Sequence, residues 1–211
     1  NNYDEKEAQK VKDAERKTDT YEDALGTYLV KLSSHNLAVQ DSVEVAKLLF
    51  LIGEFERITD YAMEITYSAR EMFDKKMQFS SQAKFEMGVM TSAVEEVVET
   101  AVKAFCDNNV SLATKVDPLE EVIDGLKSSM KKQHIVRLQR NDCKIELGFV
   151  FLDLITILER ISDHCSNIAG CLIEMSHDSM NMHKYLYKVK HEPNNEFTEQ
   201  FKKYQEKYSI G

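Results

Sequence analysis

The chain has 211 residues, 43% of them hydrophobic, enough for one large domain or two small ones with a real core. Only 7 Gly and 2 Pro punctuate it, where average usage gives roughly twice and five times as many; β-rich folds draw their turns on such residues, so sandwiches, barrels and most α/β folds are excluded. The net charge of −9 disfavours nonspecific binding to nucleic acid or anionic lipid.

The expected class is all-α, and apolar residues recur at helical spacing along almost the whole chain. Val11, Ala14, Thr18, Tyr21, Leu25, Tyr28 and Leu32 form a first stripe. Leu48, Ile52, Phe55, Ile58, Ala62 and Ile65 form a second. A third helix is predicted over 80–105, capped by Ser80 or Ser81, with Phe85, Val89, Ala93, Val97 and Ala101 facing inward. Val116, Leu119, Ile123, Leu126 and Met130 mark a fourth, and the run from Leu147 to Leu172 a long fifth. After Pro193, Phe197, Phe201, Tyr204 and Tyr208 mark a short sixth, more in keeping with a docking or core face than a ligand site. The longest stretch free of Asp, Glu, Lys and Arg, His164 to Ile173, has ten residues, against the about 20 apolar residues a membrane span needs. No secretory signal pattern opens the chain, and residue 1 is Asn, so it reads as a piece of something longer. Cys106, Cys143, Cys165 and Cys171 form no CxxC and are read as reduced thiols of a cytoplasmic protein.

An internal repeat runs through these helices. Residues 8–19, AQKVKDAERKTD, and 113–124, ATKVDPLEEVID, share A-x-K-V-x-x-x-E-x-x-x-D at an offset of 105. FERITDYAMEI at 55–65 matches LERISDHCSNI at 158–168 at an offset of 103. Two segments with nearly one offset imply two copies of a three-helix unit, 1–107 and 108–211, the second closing on the aromatic helix.

Each unit carries two E-x-x-x-D pairs: Glu15/Asp19, Glu56/Asp60, Glu120/Asp124 and Glu159/Asp163. Spacing of i, i+4 stacks two carboxylates on one helix face, where like charges repel. Every Glu directly follows a core position (Ala14, Phe55, Leu119, Leu158), so each pair flanks its apolar stripe on the same side. Each pair lies about 20 residues, roughly 30 Å of helix, from its hairpin turn, which sets partners level. Four carboxylates at one height want cations, and hard oxygen donors suit Mg, Ca, Mn and iron, with zinc where a His joins. The competing account is a solvated acidic face, with Arg57 and Arg160 offsetting part of the charge and Asp117-Pro118-Leu119-Glu120 serving as a helix cap.

The sequences ERITD and LERISD resemble the E-R-I-G-D signature of the PhoU-like family, and the duplicated pattern resembles its six-helix fold over nearly the full chain. Thr59 and Ser162 stand where the family favours Gly. The resemblance implies multinuclear metal clusters of iron or zinc held by the E/D-x-x-x-D motifs. Carried over residue by residue, the ligands would be Glu15, Asp19, Glu56, Asp60, Glu120, Asp124, Glu159 and Asp163, with Asp23, Asp117 and Glu121 nearby. Manganese, magnesium or calcium are further candidates. The tail, with His183-x-Tyr185 and FTEQFKKYQEKY, is similar to the cytoplasmic domain of bacterial sodium/phosphate cotransporters. That implies a regulatory domain at the cytoplasmic face of the plasma membrane, with the membrane domain of the same polypeptide as partner and a second copy of the chain as another. The alternative is a free-standing phosphate-signalling adaptor acting on a transporter or kinase in trans; the third reading is a helical scaffold.

Catalysis is not expected. A ferritin-like di-iron site needs two Glu-x-x-His motifs and only Glu174/His177 fits, no Cys–His signature exists, and His35, His134 and His191 have no partners at ligand spacing. His164, next to Asp163, reads as a surface histidine before a ligand, and the nine Met read as packing.

Overall fold

The computed structural model describes residues 3–140, 142–176 and 195–210. They form helices α1 (Glu5–Ser33), α2 (Val39–Asp74), α3 (Ser81–Cys106), a single turn α4 (Val110–Ala113), α5 (Val116–Gln139), α6 (Ile145–Ser176) and α7 (Asn195–Lys207), with no strand among the described residues. The fold is all-α: among the described residues, five long helices with the single turn α4 between α3 and α5 and the shorter α7 at the end. His177, His183, Tyr185, His191 and Pro193 lie outside the described residues.

The helix ends follow from local chemistry. Asp4 caps α1 by accepting from the Lys6 amide at 2.8 Å, and Ser80 caps α3 from the Ala83 amide at 3.2 Å. α2 and α3 close alike, with the left-handed residues Lys76 (φ 52°) and Asn108 (φ 48°) just past the last turn. There Met77 and Asn109 donate back to the Met72 and Ala104 carbonyls, each at 2.8 Å, satisfying helix-end acceptors. The expected cap at Asp117 is corrected. α5 begins at Val116, and Asp117 sits inside its first turn, buried, accepting the Ser166 hydroxyl at 2.7 Å. Pro118 is tolerated there because first-turn amides have no helical acceptor.

The main core lies among α3, α5 and α6, where Met90, Val97, Ile123 and Met130 are fully enclosed; each such side chain contributes about 1.5–3 kcal/mol. α3 packs on α5 and α6, α2 on α1 and α6, and α7 on α5. The Tyr208 hydroxyl at the end of α7 donates to the Glu96 carboxylate on α3, which also pairs with Lys207 at 2.8 Å. The hairpin α1–α2 thus meets the rest mainly where α2 crosses α6. The sequence reading of two apolar stripes needs correction here. Tyr21, Leu25 and Tyr28 are exposed and Leu29 is the buried residue of α1, because α2 covers one side of α1 and α3 packs elsewhere. On α3, Phe85 is likewise exposed, and the inward face runs through Met90, Ala93, Val94 and Val97.

Candidate metal centres

Hairpins α1–α2 and α5–α6 bring the acidic motifs of adjacent helices level. One carboxylate oxygen from each of Glu15, Asp19 and Asp60 lies within 4.8 Å of the other two. At the repeat-equivalent place, Glu120, Asp124 and Asp163 meet the same limit. Oxygens on opposite sides of one cation, at about 2.0–2.6 Å from it, stand about 4–5 Å apart, so either trio fits around a single ion. The donors are all hard carboxylate oxygens, which suits iron, manganese, magnesium or calcium. Six of the eight predicted carboxylates are therefore gathered in two clusters.

The remaining two stand beside them, differently. Glu56 stands beside Asp60, one turn along α2. Glu159 instead receives the Lys127 ammonium, Nζ to Oε2 2.6 Å, with both side chains largely buried. Burial lifts the Glu56 carboxyl above its ordinary value, helped by the neighbouring Asp60 and the charge of Asp19, while Arg57 opposes. Asp163 is lifted by burial, then by Glu159 and Asp124, against Arg160 and Lys127. Carboxylates crowded in this way resist holding all their charge, and a bound cation would remove that cost.

The nearby candidates fall away. Asp23 and Glu121 are exposed and in neither trio, and Asp117 is taken up by Ser166. His164 is neither a surface residue nor in either trio. It is half-buried, its Nδ1 on Glu54 Oε2 at 2.8 Å. Asn167 donates to the same Glu54 oxygen at 2.8 Å, which satisfies a buried carboxylate between α2 and α6. The buried thiols of Cys165 and Cys171 are pushed up to about 12 and about 11, chiefly by burial, so neither offers a thiolate.

Lys127 and Glu54 are the residues near these sites that motif reading passed over. Extending the repeat one turn beyond Asp124 would have exposed Lys127, which aligns with Glu22. Glu54 had no such signal, since its repeat equivalent is Ile157.

The family model for the PhoU domain matches residues 1–69 and 88–172, and the chain belongs to this family. It is similar to the phosphate-specific transport system accessory protein PhoU homolog 1 of Thermotoga maritima, 24% identical over 155 residues, 74% of this chain and 66% of that relative. The match thus spans just under two thirds of that relative's length. The PhoU homolog of Deinococcus radiodurans is 20% identical over 161 residues, 75% of this chain and 74% of the relative. The crystal structure of PhoU from Pseudomonas aeruginosa superposes with a TM-score of 0.74 at 21% identity, covering 82% of each chain, a likeness of fold. No helix among the described residues is long and apolar enough to cross a membrane.

Proposed function

We propose that this member of the PhoU domain family is a non-enzymatic accessory protein of phosphate transport. It acts in trans on a transport system at the cytoplasmic face of the membrane and uses its two carboxylate clusters to bind metal. The relatives it matches bear the name accessory protein, which favours the adaptor over a domain fused to a sodium/phosphate cotransporter. The observation that carries the metal part is the recurrence of one trio, Glu15/Asp19/Asp60 and Glu120/Asp124/Asp163, at equivalent places in both repeats. The trio has kept the same residues and the same spacing in both units while their surroundings have diverged, which favours a shared role for the carboxylates. The ion, bound to carboxylates from both helices of a hairpin, would hold those helices in register.

The test has two arms. Adding manganese(II) or iron(II) to chelator-treated protein raises its melting temperature, because an ion at a hundred times Kd adds about 2.7 kcal/mol to the folded state. No shift, and no metal in the protein by elemental analysis, would make the clusters a solvated face. In the source cell, removing the chain alters phosphate uptake at high external phosphate and wild-type protein restores it. Uptake indifferent to its removal would sink the accessory role.

A further inference from the structure

We infer that Lys127 is a built-in counter-ion that makes the two carboxylate clusters unequal, the first a metal-dependent clasp and the second already neutralised in part by the chain itself. This rests on the metal reading of the clusters.

The repeat supplies the comparison. Glu15 and Asp19 align with Glu120 and Asp124; three residues further along the same helix faces, Glu22 aligns with Lys127. The duplicated unit therefore carries opposite charges at one equivalent position beside its cluster. In the second unit the consequence is visible, with the ammonium 2.6 Å from Glu159 Oε2 and side chains only 27% and 14% exposed. Glu159 is the carboxylate left out of the second trio, so a metal ion that recruits it must displace a partly buried cation. In the first unit the equivalent Glu56 has another acid, Asp60, one turn along the same helix, and position 22 adds a half-buried carboxylate.

The packing reinforces the difference. α5 buries ten residues and α6 eighteen, so their hairpin is held by its core and by the Lys127–Glu159 pair that ties one helix to the other. α1 buries only Leu29, so the α1–α2 hairpin, although paired along its length, encloses far less apolar surface than α5–α6 to fix its helices at that height. A cation therefore has more to do in the first hairpin and fewer competitors there. The first cluster fills first and more tightly, and Lys127 sets the affinity of the second.

Titration calorimetry with manganese(II) on the full chain tests this, sites being assigned by Asp19→Asn and Asp124→Asn. Wild type is expected to show two classes at least about tenfold apart in Kd, the weaker lost in Asp124→Asn. Lys127→Gln tightens the weaker class by about tenfold, Lys127→Arg leaves it near wild type, and Glu22→Lys weakens the tighter class. Amide hydrogen exchange adds a second reading, with manganese(II) protecting α1–α2 more than α5–α6. Manganese bound with equal affinity at both clusters, or a weaker class indifferent to Lys127→Gln, overturns the inference and leaves the metal reading standing. No manganese bound at either cluster overturns both.

Discussion

Tyr61 on α2 and His164 on α6 stack on each other, ring centroids 5.7 Å apart and planes inclined by 28°. They occupy the same position in the two repeats, one residue after Asp60 and Asp163, so the duplicated units meet at equivalent residues. The contact is symmetric in place and asymmetric in chemistry, because only His164 has a ring nitrogen to bond Glu54, at 2.8 Å.

That asymmetry gives a first prediction. His164→Phe keeps a ring against Tyr61 and leaves buried Glu54 one partner short, with only Asn167. The expected loss is about 1–3 kcal/mol, the cost of under-satisfying a buried acceptor, read as a lower urea midpoint. Adding Glu54→Leu should recover much of it, and a double variant as unstable as the sum of the singles would show that the bond contributes nothing.

The link between α3 and α5 is a buried ion pair. Arg137 grips Glu86 with both guanidinium nitrogens, at 2.6 and 2.9 Å, the Glu86 side chain having no exposure at all. Its guanidinium also lies over Phe151, 5.2 Å from the ring centroid. Arg137→Met strands an enclosed carboxylate and should cost about 3–5 kcal/mol in denaturant unfolding, whereas Arg137→Met with Glu86→Met should be far milder. Equal damage from single and double variants would refute the pairing account.

Gly148 in α6 faces the edge of a buried ring. A Cβ there would stand 2.7 Å from His134 Nε2 and 3.0 Å from Cε1. His134 is fully enclosed and stacked on Phe151, so it cannot yield cheaply. Gly148→Ala should therefore destabilise by about 1–3 kcal/mol, overcoming the helix-propensity gain of about 1 kcal/mol. Gly53→Ala, with nothing within 4 Å of its Cβ, should keep that gain. Thermal melts of the two variants moving in the same direction would contradict this.

His134 also predicts a pH dependence. Burial first, then the Arg137 charge, lower its pKa below the usual 6.5, so the folded protein keeps it neutral where the unfolded chain takes up a proton. With more protons bound in the unfolded state, stability rises with pH in that window. It should fall as pH drops below about 6.5, down to the depressed folded value. His134→Leu, less stable at neutral pH, should show a flatter profile between pH 5 and 7 once the other histidines' share is common to both. Parallel profiles would mean the ring is protonated in the fold.

The helices, their approximate bounds, the duplication and the four matched E-x-x-x-D pairs were legible in the residues, because helical periodicity and i, i+4 stacking are local properties. Counting residues back from the hairpin turns even put the pairs level, as Glu15, Asp19 and Asp60 now are. What the sequence left open depended on which helix lies beside which. α3 packs on α5 and α6 instead of on its own hairpin, so the periodic stripe of Tyr21, Leu25 and Tyr28 stays exposed. Lys127 reaches Glu159, His164 reaches Glu54 and Ser166 reaches Asp117 only because α6 runs against both α5 and α2. A charge or a histidine in one helix carries no mark of its partner in another. Those pairings are chosen by side-chain reach across a packed interface, and only the tertiary structure decides them.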